Sequence, residues 1–353
     1  MNKLKIPALD KRTFRNFQHF VIPTKNCCPS REKVIELPSA FLYNVGRITQ
    51  KKGCFTMAGR PFTIITEVTC DLPQDYLKKH GVVTIPMNYT LDGVEYDGTE
   101  ENSLPIHIFY EKLRKGLMSK TSAVSPDQAT SFFEAELQKG NDVLYLGFSS
   151  GLTSGFQSSL LARDELAEKY PEGRVICVDS LCASLGHGLF VDYVVRLAEE
   201  GFTLEECAKA AEDIKLKVCH YFTVDDLNHL YRGGRVSKTA AIFGTMLGIK
   251  PVMHVDNDGH LIPHGKVRGR RQSLDSLVAS MGERLGDDYK NPYVFISHGD
   301  CEEDAKYVAA QVKAKYGVKT EIINTIGPII GTHSGPGTVA LFFIGRDRNE
   351  KRL

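Results

Sequence analysis

Six of the nine residues from Ser149 to Gln157, SSGLTSGFQ, are serine, threonine or glycine. The stretch follows the apolar run DVLYLGF and precedes LLARDELAEKY, so it reads as a strand-to-helix turn. Two further turns share its character, KTSAVSP at 120–126 and GTHSGPGT at 331–338. The first N–H groups of a helix lack partners and carry partial positive charge, so hydroxyls and glycine amides beside a helix start suit an anion. Thr121, Ser122, Thr153 and Ser154 are candidate donors to a carboxylate. His333 adds a donor, and a positive charge when protonated. Taken singly, each turn is better explained as a helix cap; Ser125 before Pro126 has the residue types of an N-cap followed by proline at the first helical position. Three such turns in one chain point instead to a shared polar site.

A cation for that site is available in NHLYRGGRVSKTAAIFGTMLGIKP, residues 228–251. Gly233 and Gly234 let backbone approach closely while the Arg235 guanidinium lies along it. The apolar, glycine-spaced AAIFGTMLGI that follows reads as a core helix for most of its residues, or as a groove bordered by a basic anchor. A carboxylate with a hydrocarbon tail suits both parts. The head receives hydroxyls and a cation, and each buried methylene contributes about 0.8 kcal/mol.

Other chemistries fit less well. GFSSG matches the G-x-S-x-G turn of α/β-hydrolases, with Ser149 as nucleophile and Asp179 or Asp300, then His333, completing the order Ser, Asp, His. Gly151 and Gly155 lengthen the turn beyond what that elbow wants, and no HGG-type loop lies upstream, so a serine hydrolase ranks second. No G-x-x-x-x-G-K-[ST] occurs, and no G-x-G-x-x-G follows a strand, so nucleotide binding lacks its loop. HVDNDGHLIPH has three histidines, but DNDG reads as a hairpin turn and H-E-x-x-H is absent. The acidic run is also too short for an EF-hand. Neither a metal nor a cofactor is expected.

The elements that must position these residues follow an α/β order. PFTIIT (61–66), VVTIPMNYT (82–90), DVLYLGF and RVICVDS (174–180) read as strands, with helices at 71–80, 105–116 and 126–139, after the serine-rich turn, and up to Glu200, where Gly201 ends the helix. Buried, non-alternating strands separated by helices predict a Rossmann-like parallel sheet covered on both faces, over 61–217. From 218 to 345 the pattern changes. VCHYFTV (218–224), a hairpin around DNDG, YVFISHG (293–299), KTEIINT (319–325) and TVALFFIG (338–345) read as strands, with helices near 270–285 and 301–316. This predicts a second, mixed-sheet α/β domain, with the ligand site between the two.

The chain of 353 residues has room for about two domains. No long apolar run is free of charge and no apolar signal core opens the chain. Nine cysteines include no C-x-x-C, and Cys27 and Cys28 are adjacent, which suits reduced thiols in a cytoplasmic protein. The net charge of +1 conceals an asymmetry: residues 1–56 carry 11 Lys or Arg against 3 Asp or Glu, and the remainder carries 33 against 40. Residues 1–60 therefore read as a poorly ordered or non-native basic leader, with Met57 the natural start. The acidic body argues against a nucleic-acid surface. A monomer is the default expectation.

ITEVTCDLP (65–73), KTSAVSP, SSGLTSGFQSS, VDSLCASLGHG (178–188), LYRGGRVS, GKVRGR (265–270) and GTHSGPG resemble, in order, the motifs of the DegV family. These are bacterial fatty-acid-binding proteins, several of which act as the binding subunit of a two-component fatty-acid kinase. The resemblance runs from about 61 to 345. It implies two α/β domains with one long-chain fatty acid buried between them, no catalytic residue, and a separate ATP-dependent kinase subunit that makes an acyl-phosphate. By the same resemblance the head group falls to Thr121 and Ser122, to Thr153 or Ser154 in the LTSG turn, to Arg235 and to His333, and Arg268 matches a kinase-docking position. Two departures stand out. The chain has Leu152-Thr153-Ser154-Gly155 where the family commonly reads LSGT, and Thr66-Glu67-Val68-Thr69 where it reads TDST.

Overall fold

A computed structural model of the chain describes residues 60–99, 102–237, 248–285 and 293–348. The leader up to residue 59, with the expected start at Met57, and the apolar stretch 240–247 read as a core helix lie outside the described residues. Two large sheets carry the architecture, and the fold is α/β, with one parallel and one mixed sheet. The described residues belong to one compact unit.

The parallel sheet is built from β1 (Phe62–Glu67), β2 (Val83–Ile85), β6 (Asp142–Gly147) and β7 (Val175–Asp179), in the order β2-β1-β6-β7. Ile65 lies opposite Val83 on one side of β1, and Thr63 opposite Val143 on the other. Between these strands run α1 (Gln74–His80), α2 (Ile106–Arg114), α3 (Pro126–Gln138) and α4 (Gly155–Lys169). From β1 the chain crosses one way to β2, and from β6 the other way to β7. The crevice beyond the carboxyl ends of β1 and β6 is therefore a topological switch point, the place where such sheets bind ligands.

The run 82–90 does not form one strand. Pro86, which has no N–H for a ladder, ends β2, and the chain leaves the parallel sheet. It then forms a separate antiparallel meander of β3 (Tyr89–Leu91), β4 (Val94–Tyr96) and β5 (Ser119–Thr121). Asp92 and Gly93 turn the β3–β4 hairpin with φ of 55° and 77°, the left-handed pair that a tight two-residue hairpin requires.

The mixed sheet holds β8 (Val218–Thr223), β9 (Ile249–Val255), β10 (Leu261–Arg268), β11 (Tyr293–His298), β12 (Lys319–Thr325) and β13 (Val339–Ile344). The order is β10-β9-β8-β13-β11-β12, antiparallel except for the parallel pair β11–β12. Its outer face carries α8 (Arg270–Leu285) and α9 (Glu302–Tyr316). Period two is explicit in β13: Val339, Leu341 and Phe343 point to that outer core, while Ala340, Phe342 and Ile344 point inward.

Between the sheets lie α5 (Leu185–Glu199) and α6 (Leu204–Ile214). Helix α5 packs on β8, β11 and β13 on one side and on the turn after β1 on the other. A Cβ on Gly186 would stand 2.2 Å from the His220 ring, and one on Gly188 would stand 2.6 Å from the Cys70 carbonyl. Glycine at both positions is what lets the helix touch both layers. Two short helices complete the frame, α7 (Asn228–Arg232) and α10 (Pro328–Ser334), and they pack against each other. Among the described residues no helix is long and apolar enough to cross a membrane.

Candidate functional site

A cavity of about 190 Å³ opens at the switch point, between the loops that follow β6 and β7 and the inner face of the mixed sheet. Its walls are largely apolar, with Met87, Phe148, Leu152, Phe222, Ile329 and Phe342 among them. Thr121, Ser122, Thr153, Ser154, Arg235 and His333 all line it, so turns distant in sequence meet on one wall. Arg268 does not: it stands exposed at the end of the edge strand β10.

The three turns reach the cavity by different means. In the first, Ser125 caps α3 through a full capping box with Gln128, whereas Thr121 sits at the end of β5. In the second, Ser154 occupies the N-cap position of α4 but makes no capping bond, and Thr153 Oγ1 accepts from the Gly155 amide at 3.3 Å. The third is not a helix start at all. Residues 331–334 form the last turn of α10, so His333 lies at a helix C-terminus. The dipole there favours cations, and an anion bound beside His333 must be held by side chains rather than by helix amides.

His333 Nε2 lies 2.8 Å from Thr121 Oγ1, and its Nδ1 is buried without a partner. The Nδ1 edge of the ring faces the Gly233 backbone: a Cβ on Gly233 would come within 2.2 Å of Nδ1. Burial, and then the neighbouring Arg235, push His333 down to about 4. It is thus a neutral hydrogen-bonding group near pH 7, not the positive charge its residue type suggests. Arg235 is the cation of the wall. Burial lowers it too, but a guanidinium stays charged. Its Nη1 donates to the Gly233 carbonyl, and no carboxylate pairs with it among the described residues. Ser334, unassigned by the sequence reading, also lines the cavity; it is 6% exposed and its Oγ is buried with no partner. An orphaned hydroxyl and an unpaired cation on an apolar wall are what an organic anion would satisfy.

A second polar cluster on the same wall was also not found from the sequence. Ser184 and Ser297 line the cavity, both buried, with their hydroxyls 2.9 Å apart. Ser184 donates to Asp71 Oδ2 at 2.5 Å, and Asp71 Oδ1 accepts from the Gly327 amide at 2.9 Å. Burial pushes Asp71 up to about 7 despite those two bonds. The available signal was a lone serine inside the apolar strand YVFISH. Glu67, where the family pattern has aspartate, is buried behind the cavity. It accepts from the Tyr145 hydroxyl, and from the Phe148 amide at 3.3 Å, so the longer side chain is fully engaged.

The hydrolase constellation does not form. Ser149 is fully buried, donates to the Gly259 carbonyl at 2.9 Å and accepts from the Gly151 amide at 3.2 Å. Asp179 Oδ1 takes the Ser150 and Leu181 amides at 3.2 and 3.0 Å, and Asp300 pairs with Arg114. His333 bonds Thr121 instead.

Residues 61–346 match the model of the DegV family, described as "Uncharacterised protein, DegV family". A DegV domain-containing protein of Clostridium perfringens is 40% identical over 286 residues, 81% of this chain and 98% of the relative. Among solved structures, a DegV family protein from Thermus thermophilus, described by its fatty-acid binding, is 29% identical with a TM-score of 0.72, covering 81% of this chain and all (100%) of that one. DegV from Bacillus subtilis, described as a fatty acid binding protein, is 27% identical with a TM-score of 0.70, covering 82% and 100%. The family model spans the part of the chain that builds both sheets and the cavity between them, and the relatives match about four fifths of the chain: the chain belongs to the DegV family.

Proposed function

We propose that the chain is a long-chain fatty-acid-binding protein that buries one fatty acid in this cavity and holds its carboxylate at the Arg235–His333–Ser334 end. The observation that carries the reading is the combination there of a cation with no carboxylate partner among the described residues and an orphaned buried hydroxyl on an otherwise apolar wall. The fatty acids bound by the Thermus and Bacillus relatives support it. In this reading Arg235 supplies the charge, and Thr121, Ser122, Thr153 or Ser154, and Ser334 donate hydrogen bonds. His333 donates as a neutral ring and gains a proton as the carboxylate arrives. The tail replaces cavity water along Phe148, Phe222, Ile329 and Phe342.

The same reading gives the chain a partner rather than a reaction of its own. A separate kinase, docking at exposed Arg268, transfers the γ-phosphoryl of ATP to the presented carboxylate: a carboxylate oxygen bonds to phosphorus, ADP leaves, and an acyl-phosphate remains. The chain carries no cofactor and contributes positioning. The first test is organic extraction of the purified full chain with mass spectrometry, followed by titration with octadecanoic acid. A co-purified or saturably bound fatty acid is expected; an empty protein that does not bind octadecanoic acid overturns the reading. For the partner, lipid-loaded protein is incubated with ATP and candidate kinases, and acyl-phosphate is trapped with hydroxylamine. Loss of hydroxamate on Arg268→Glu, with lipid binding intact, is the expected result.

A further inference from the structure

We infer that the Asp71–Ser184–Ser297 chain is a second polar subsite of the cavity, which takes a hydroxyl carried part-way along a bound acyl chain. The inference rests on the fatty-acid reading above and narrows its ligand class. Ser297 sits in β11 with Asn324 of β12 on one side and Ala340 of β13 on the other. Its backbone is engaged by both ladders, and its side chain faces the wall that also carries Ala340 and Phe342. A buried hydroxyl is costly unless bonded, and an apolar residue would serve the sheet equally well. The one hydrogen bond of Ser297 Oγ among the described residues is to Ser184 Oγ, at 2.9 Å. Ser184 is held at φ 53° and ψ −144°, close to a region that only glycine occupies readily, and Asp71 has φ 53°. Such backbone is kept where the surrounding structure has a use for it.

The chain of donors specifies the ligand group. When Asp71 is ionised, Ser184 gives its proton to the carboxylate and Ser297 gives its own to Ser184, which leaves Ser297 an accepting lone pair for a group in the cavity it lines. When Asp71 is protonated the order reverses, and Ser297 offers its proton to the cavity. Asp71, held near 7 by burial, visits both states. An alcohol accepts or donates as required, whereas a ketone only accepts and an ammonium only donates. The position is also set. Gly327, bonded to Asp71, and His333 lie at opposite ends of α10, six residues or roughly 9 Å apart along the axis. The hydroxyl recognised is therefore internal to the chain, away from the carboxyl end.

The test titrates the purified full chain with octadecanoic acid and with hydroxy-octadecanoic acids whose hydroxyl is walked along the tail. Wild type is expected to favour one internal position over octadecanoic acid by about fivefold, the worth of one net hydrogen bond. Ser297→Ala and Ser297→Cys are expected to abolish that preference while leaving octadecanoic acid within about twofold of wild type. The cysteine variant, close in size, serves if the alanine variant does not fold. Equal affinity of wild type for every isomer, or a preference that survives both substitutions, overturns the subsite alone. Failure of octadecanoic acid itself to bind overturns the fatty-acid reading and the subsite with it.

Discussion

Two polar clusters share one cavity wall, and they are built on opposite terms. At the Asp71 end most hydrogen bonds close within the protein: Gly327 and Ser184 bond Asp71, Ser184 bonds Ser297, which keeps one bonding capacity to spare, and Asn324 Nδ2 donates to the Asp71 carbonyl at 2.8 Å. At the His333 end they are left open: among the described residues Ser334 Oγ and His333 Nδ1 have no partner and Arg235 pairs only with a carbonyl of its own turn. Closing a network favours the folded chain on its own. Leaving one open costs stability until a ligand arrives. The difference teaches where binding energy is to be found: at groups already stripped of water, not at those most visible as hydroxyls.

The largest expected effect breaks the closed end. Asp71→Ala strands the Gly327 amide and the Ser184 hydroxyl in the seam between the sheets, and about 3 kcal/mol of stability is expected to go, read by urea denaturation. Asp71→Asn keeps an acceptor for Gly327 and is expected to cost much less, so equal losses for the two variants would contradict the hydrogen-bond account.

Next is the cation of the open end. Arg235→Ala is expected to weaken octadecanoic acid by about 2 kcal/mol, roughly thirtyfold, the worth of a charge-assisted bond taken out of water. Arg235→Lys restores only part of it, because an ammonium lacks the planar fork. Neither change is expected to lower stability, since no carboxylate among the described residues pairs with Arg235.

The two ends also titrate with opposite sign. Asp71 is raised from 3.8 to about 7, so the folded protein binds the extra proton; the contribution is complete below about 4 and lost as pH rises through 7. His333 is lowered from 6.5 to about 4, so the unfolded chain binds the extra proton; stability is complete above 6.5 and lost as pH falls toward 4. Urea curves for Asp71→Asn minus wild type should therefore change between pH 4 and 7, and those for His333→Gln minus wild type between 6.5 and 4, in opposite directions. Slopes of the same sign would sink the assignment of one or both.

Much of this was legible in the residue order. β12 was read at 319–325, and the helix at 270–285 and the hairpin around residues 256–259 were in place, because buried runs, turn pairs and helical spacing are local signals. The wall residues of the open end were legible too, since unusual turns of hydroxyls and glycine are visible one by one. The split at Pro86 was missed although the proline was in view, because the apolar alternation on either side outweighed it. The helical nature of 328–334 was hidden by its glycine, threonine and serine, poor helix formers held by packing on α2 and β5. Ser184, Ser297 and Asp71 could not be joined in advance: they come from three segments more than a hundred residues apart, and only the register of β11 against β13 and the seat of α5 bring them together.

The smallest effects sharpen the comparison most, because sequence and structure rank two serines differently. Ser122 was the serine named from the turn, yet it is exposed and keeps its water until a ligand replaces it. The exchange of a water bond for a ligand bond is then nearly even, and Ser122→Ala is expected to weaken octadecanoic acid by about twofold to threefold. Ser334 has lost its water and gained nothing in return, so the whole bond to a carboxylate counts, and Ser334→Ala is expected to cost about tenfold in affinity. Removing a stranded hydroxyl also relieves the folded state. The same variant is therefore expected to be as stable as wild type or slightly more so, by up to about 1 kcal/mol. Tighter folding with weaker binding is a signature that a structural serine does not produce. A Ser334→Ala protein that loses stability while its affinity for octadecanoic acid stays unchanged would place the open end of the wall elsewhere.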